Sequence, residues 1–166
     1  MLSKLIILFI LVINSYSCKV DDRIMFSIAS VEKHKDRDVG YPYLISFNNN
    51  RDAIRVKKVY TEYFLDNRTI DCLNTNICTQ MLDSLLKVGI KNLDLGVYQL
   101  NYIYWKMDKK ENYFDLMKSY DKACSIVESH NKDEWTWTNI AKYHSGTPKY
   151  NNRYKKLLLK SIKRNM

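Results

Sequence analysis

The sequence has few residues that interrupt regular secondary structure. Its 166 residues include only two prolines and four glycines, whereas 46% of the residues are hydrophobic. No internal repeat, linker or low-complexity stretch divides the chain. A chain of this length and composition is typical of one packed domain and is too short for two domains of ordinary size.

The chain also has no apolar run of the ~20 residues needed to span a bilayer. Its longest apolar run, from Leu5 to Ile13, follows Lys4 and precedes the small residues Ser15 and Ser17. This arrangement is typical of a secretory signal peptide. We therefore predict that residues 1–17 are removed and that no transmembrane span remains in the mature chain. An uncleaved anchor is the alternative.

Cysteine is scarce as well, and all four cysteines follow the predicted cleavage site. An even number in an exported chain indicates disulfides, with three possible pairings. Cys72 and Cys78 flank a short polar loop and are the first predicted pair, so Cys18 and Cys124 pair by elimination. A metal site is not expected, because Cys72 and Cys78 are too far apart for a knuckle and no histidine is near either. Lipidation of Cys18 is an alternative to its disulfide.

Acidic residues are outnumbered by basic ones, 18 to 27, which gives a net charge of +9. The basic residues become denser in the C-terminal segment "KYNNRYKKLLLKSIKR". A nucleic-acid partner is not expected, since no nucleic-acid motif is present and the chain is predicted to be exported. The positive charge fits either attraction to anionic cell-surface polymers or an ordinary solvated helix face.

Helical patterns dominate the mature part of the chain. Asp21 is a suitable cap for a helix that runs to about Lys33. The segment "YLISF" is predicted to be a short strand or an extended segment. Further helices are predicted within residues 52–64, 78–90, 102–108, 111–130, 134–146 and 151–164. The sequence therefore predicts a mostly α fold with at most a short β segment, in one domain over residues 18–166.

A single glutamate interrupts the apolar side of the first predicted helix. Met25, Ala29 and Glu32 lie on one helical face. Three interpretations of this carboxyl group are open: the helix prediction is mistaken, the side chain extends to solvent at the helix end, or the group is a catalytic acid. Desolvation raises the pKa of a carboxyl group and keeps its proton available near neutral pH, which suits a general acid.

Three polar segments then follow one another in a recognisable order. "ASVE" ends at Glu32, "DLGVYQLN" contains Gly-x-x-Gln followed by an asparagine, and "AKYHSG" places a tyrosine in a turn. With "YPYLIS" between the first two, this order resembles the lytic transglycosylase family of the lysozyme superfamily over residues 22–155. It is most similar to the small single-domain members that accompany secretion and conjugation machines. The resemblance implies a lysozyme-like helical fold.

The resemblance also implies roles for individual residues. Glu32 matches the catalytic acid of the family. The positions that match its sugar-binding cleft are Gly96, Tyr98, Gln99, Asn101 and Tyr143, the last of which faces the acid. Lys33 stands where the family usually has serine, and His144 where it usually has asparagine, so details of substrate contact can differ from the family.

The implied activity is cleavage of the β-1,4 bond between N-acetylmuramic acid and N-acetylglucosamine, with formation of 1,6-anhydro-muramyl ends. One carboxyl group suffices for this reaction, and no cofactor is needed. The expected partner is the glycan strand of peptidoglycan in the periplasm or cell envelope, with components of a secretion or conjugation machine as a further partner. A hydrolytic muramidase is the alternative if Asp94, which has the sequence context of a turn or helix cap, reaches the cleft. A non-catalytic wall-binding or assembly protein is the other alternative.

Overall fold

A computed structural model describes residues 18–164 of the chain. The predicted signal peptide, residues 1–17, lies outside this part, as do the last two residues. The described residues form six α-helices and a four-stranded antiparallel sheet. The prediction of a mostly α, lysozyme-like fold is therefore wrong, because the chain has a mixed α/β fold.

The sheet is built from four short strands, of which only β3 and β4 are neighbours in sequence. Its spatial order is β2-β1-β3-β4, and every neighbouring pair is antiparallel. Ile45 of the central strand β1 lies opposite both Ile70 and Leu95, and all three side chains are buried. The strands are β1 (Leu44–Phe47), β2 (Thr69–Asp71), β3 (Leu93–Leu95) and β4 (Leu100–Asn101). Only β1 was predicted, in "YLISF".

Five of the six helices begin at a side-chain cap. The cap residue accepts a hydrogen bond from a backbone N–H of the first turn, as is typical of helix N-termini. The capped helices are α1 (Asp22–Glu32), α2 (Asn50–Lys57), α3 (Thr75–Lys87), α4 (Leu116–His130) and α5 (Trp137–Ile140), and their caps are Asp21, Asn49, Asn74, Asp115 and Thr136. The last helix, α6 (Pro148–Arg164), begins with proline. Short 3₁₀ turns occupy Thr61–Tyr63, Lys110–Phe114 and Ala141–Tyr143.

Several predicted helices are shorter than expected, and one is absent. The helices predicted within 52–64, 111–130 and 134–146 shorten to α2, α4 and α5, each with a 3₁₀ turn beside it. The helix predicted within 102–108 does not form. Here the Tyr113 hydroxyl donates to the Trp105 carbonyl at 2.9 Å and accepts from the Met107 amide at 3.1 Å. These bonds hold the backbone in an irregular turn.

The described residues include two disulfides, one between distant parts of the chain and one across a short loop, and both match the predicted pairing. Cys18 bonds to Cys124 of α4, and Cys72 bonds to Cys78 of α3, with Cα–Cα distances of 5.8 Å and 5.0 Å. A lipid thioether would need the same sulfur atom of Cys18. The long bridge fixes the chain just before α1, the helix that ends at Glu32.

Candidate active site

Glu32 is the last residue of α1 and belongs to its buried face. Met25, Ile28 and Ala29 of the same helix are in the core. Because residues three, four and seven positions apart share a helical face, these side chains direct Glu32 inward. Its side chain is only 15% exposed. The sequence prediction of a carboxyl group on the apolar side of this helix is thus confirmed.

The environment of Glu32 favours the protonated carboxyl group. The pKa of Glu32 is raised from 4.5 to about 7, mainly by burial; interaction with the Tyr154 hydroxyl opposes this rise, and the negative charge of Asp94 adds to it. Desolvation is the largest of these effects, as expected for a carboxyl group removed from water. Glu32 can therefore still carry a proton near neutral pH.

His144 lies beside this carboxyl group. Its Nδ1 atom is 3.8 Å from Glu32 Oε1, and its ring stacks on that of Tyr154 with centroids 4.7 Å apart. Burial lowers the pKa of His144, and Arg153 lowers it further, while Asp94 opposes both. A neutral imidazole carries no positive charge, so it does not lower the pKa of the neighbouring Glu32 carboxyl group.

Asp94 and Asn101 face each other across the β3–β4 hairpin. Asn101 Nδ2 donates to Asp94 Oδ1 at 2.8 Å and to Asn92 Oδ1 at 3.1 Å. Burial raises the pKa of Asp94, although hydrogen bonds from Asn48 and Asn101 partly oppose this rise. The sequence reading of Asp94 as a turn or cap residue is wrong, since it is a strand residue that lines the cleft. Asn101 acts mainly as its hydrogen-bond partner.

The hairpin turn between β3 and β4 requires glycine at its first position. Gly96 has a φ of 71°, and a Cβ atom there would overlap the Tyr113 carbonyl oxygen. Gln99 also has a positive φ, of 45°, and its Nε2 donates to the Gly96 carbonyl at 2.8 Å. Gln99 lines the cleft. Gly96 allows the turn to form but is not itself a residue of the cleft lining.

Substitution of Gly96 by alanine is expected to destabilise the chain by about 3 kcal/mol, since it adds backbone strain and a collision with a fixed carbonyl group. Gly89→Ala is the matched control, because Gly89 has a φ of 83° but open space around its Cα. The control should cost only about 1–2 kcal/mol. Urea unfolding of both variants measures the difference. Equal costs would show that the close approach to Tyr113 has no energetic importance.

Tyr143 and Tyr98 have structural contacts that the sequence did not predict. The Tyr143 hydroxyl donates to the Tyr98 carbonyl at 2.6 Å, which ties the 3₁₀ turn before His144 to the β3–β4 hairpin. Tyr143 lines the same cleft as Glu32. Tyr98 was expected to contact substrate, but its side chain is buried and packs edge-on against Tyr120.

Together these residues form a cleft of about 450 Å³. Its lining joins the predicted residues Glu32, Gln99, Asn101 and Tyr143 with other polar and aromatic side chains. Those that the prediction did not name as site residues are Asn48, Asn92, Asp94, Tyr104, Trp105, His144, Ser145 and Tyr150. Rings beside amide and hydroxyl groups are suited to sugars, which present both C–H faces and hydroxyl edges.

Among residues 18–164, the one group of three potential metal ligands is Cys18, Cys124 and Glu128, and its two sulfur atoms are bonded to each other. This part of the chain also has no helix with the length and apolar content needed to cross a membrane.

No protein-family model, curated protein or solved structure matches the chain. The resemblance to lytic transglycosylases therefore rests on the order and spacing of its own residues.

Proposed function

We propose that the chain is a peptidoglycan lytic transglycosylase that cleaves the β-1,4 bond between N-acetylmuramic acid and N-acetylglucosamine. The observation that carries the proposal is a buried carboxyl group with a pKa of about 7 in a cleft lined by aromatic, amide and hydroxyl side chains. A general acid works best when its pKa lies near the operating pH.

In the proposed reaction, Glu32 donates its proton to the glycosidic oxygen while the bond from that oxygen to C1 of the muramyl sugar breaks. The substrate's own N-acetyl oxygen stabilises the positive charge that develops at C1. The Glu32 carboxylate then takes the proton of the 6-hydroxyl group as O6 bonds to C1. The 1,6-anhydro product forms without water, and Glu32 returns to its protonated form.

Export to the periplasm or cell envelope belongs to the same proposal. Two disulfides fit an oxidising compartment better than a reducing one. The chain's +9 charge would favour encounter with an anionic wall. A secretion or conjugation machine as a partner is implied by the family resemblance and stays a prediction.

A hydrolytic muramidase is the second candidate, and the position of Asp94 favours it. Asp94 lines the same cleft as Glu32 and raises the pKa of its carboxyl group. Hydrolytic glycosidases generally use two carboxyl groups, one as acid and one as base or nucleophile. The two candidates differ in whether Asp94 takes part in bond making.

The variant Asp94→Asn separates the candidates. The one-carboxylate reaction predicts a less than tenfold loss, because asparagine keeps the shape of Asp94. The two-carboxylate reaction predicts a loss of about 10²–10⁴-fold. Release of soluble muropeptides from purified sacculi measures the rate. Asn92→Asp, which adds a negative charge to the cleft lining where Asp94→Asn removes one, shows how strongly local charge alone changes that rate. A large loss in Asp94→Asn, with free reducing ends from the wild type, would replace the transglycosylase proposal.

A further inference from the structure

Two further depressions lie between α1 and α6, and the first of them adjoins the cleft. The first, of about 270 Å³, shares Glu32, His144 and Tyr150 with the cleft. The second, of about 440 Å³, shares Val31 and Leu157 with the first. The shared walls make one groove that leads away from the acid, here called the α1–α6 groove.

One wall of this groove is a cationic stripe on α6. Tyr150, Arg153, Leu157, Lys160 and Arg164 recur at intervals of three or four residues, so they lie on one face of the helix. All five side chains are exposed. The stripe therefore presents three cationic groups, with an aromatic ring and an aliphatic side chain among them.

Among residues 18–164, no acidic side chain forms a salt bridge with the cationic groups of the groove, Arg153, Lys160 and Arg164. Glu32 is the sole carboxyl group in its lining, at the end that joins the cleft. Such a groove is suited to an extended ligand with carboxylate groups, since unpaired cations attract anions and the exposed apolar side chains add contact area.

The length of the stripe also limits the ligand. Arg153 and Arg164 are eleven helical residues apart, which is about 16 Å along the axis. Five residues of extended peptide span about 17 Å. An extended pentapeptide could therefore lie along the groove and place carboxylate groups near both ends.

We infer that the α1–α6 groove binds the stem peptide of peptidoglycan through its carboxylate groups. This inference rests on the proposed function, because the stem peptide is attached to the same muramyl sugar whose C1 would lie at Glu32. The peptide's carboxylates would pair with Arg153, Lys160 and Arg164, and its alanine methyl groups would contact Val31 and Leu157. The groove would thus select glycan strands that carry peptides over strands from which the peptides have been removed.

The test compares two soluble glycan probes from the same sacculi. One keeps its stem peptides, and in the other an amidase has removed them at the lactyl group. Binding is measured with the Glu32→Gln chain so that neither probe is consumed. We expect at least tenfold tighter binding of the peptide-bearing strands at low salt.

Adding Lys160→Ala and Arg164→Ala is expected to reduce this preference about tenfold, since each exposed ion pair is worth about threefold in affinity. Binding of the stripped strands should not change. The matched control adds Lys156→Ala and Lys163→Ala, which remove the same charge from exposed positions of α6 outside the groove lining. The control should keep the preference. Thermal unfolding verifies that all variants fold.

Two results would overturn the inference. One is equal binding of both probes by the parent chain. The other is an equal loss in both double variants, which would assign the effect to net charge alone. Failure of the proposed function gives a different result: the wild-type chain would release nothing from sacculi, while the binding preference and its loss in the groove variant would still be measurable.

Discussion

Replacement of Glu32 by glutamine is expected to reduce muropeptide release by at least 10²–10⁴-fold, the range typical of a positioned acid–base group. Glutamine keeps the shape of the side chain but cannot donate the proton that the leaving oxygen needs. In the one-carboxylate reaction Glu32 serves twice, as acid and then as base, so the loss should reach the upper end of this range. The rate of release from purified sacculi measures it.

The same variant is expected to be more stable than the wild type above neutral pH. The pKa of Glu32 is raised from 4.5 to about 7 in the folded chain. The folded state therefore holds this proton more tightly, and the free energy of unfolding falls as the pH rises from about 4.5 to 7. The rise corresponds to about 3 kcal/mol. Since glutamine does not titrate, Glu32→Gln should gain up to this amount at pH 8 and almost nothing at pH 4.

Urea unfolding of both chains between pH 4 and pH 8 measures this difference, because all other titrating groups are common to the two. Glu62→Gln is the matched control, since Glu62 is an exposed glutamate outside the cleft. The control should change neither stability nor release. A Glu32→Gln chain with wild-type activity would favour the non-catalytic wall-binding protein instead.

Loss of the Cys18–Cys124 disulfide is expected to cost about 4–5 kcal/mol, because it closes a loop with a sequence separation of 106 residues. Loss of the Cys72–Cys78 disulfide, with a separation of six, should cost only about 2 kcal/mol. Total stabilities of domains are about 5–15 kcal/mol, so the first loss leaves little margin. Urea unfolding of the two double-alanine variants provides the comparison.

The Cys18–Cys124 disulfide also has a consequence for the site. The backbone amide of Lys19 donates to Glu128 Oε1 at 2.7 Å, so both bonds hold the entry to α1 against α4. Loss of the Cys18–Cys124 disulfide should therefore lower both stability and activity. Loss of the Cys72–Cys78 disulfide should lower stability alone. Equal costs for the two disulfides, or a larger cost for Cys72–Cys78, would contradict the loop-closure argument.

The buried carboxyl group of Glu32 and its helix were predictable because their signal is local. Asp21 caps α1, and the buried positions Met25 and Ala29 recur at helical spacing until Glu32 replaces an apolar residue. The disulfides were predictable for a similar reason, since two nearby cysteines left two others to pair. In each case residues close in sequence carry the information.

The sheet and half of the cleft depend on contacts that no local pattern records. Strands of two to four residues are too short for an alternating pattern to be recognised. Asp94 resembled a turn residue because its partner Asn101 is supplied by the returning strand. Tyr150 reaches the cleft only because α6 packs against α1. Tyr98 illustrates the opposite error, since its motif position indicated a ligand contact but its side chain is buried.

The most direct test of the central claim is mass analysis of the products that the wild-type chain releases from purified sacculi. The proposed reaction predicts muropeptides that end in 1,6-anhydro-muramic acid and are therefore lighter by one water than hydrolysed products. Their amount should fall with Glu32→Gln and persist with Asp94→Asn. Free reducing ends would instead identify a hydrolase, and the absence of any released product would contradict an enzymatic role for Glu32.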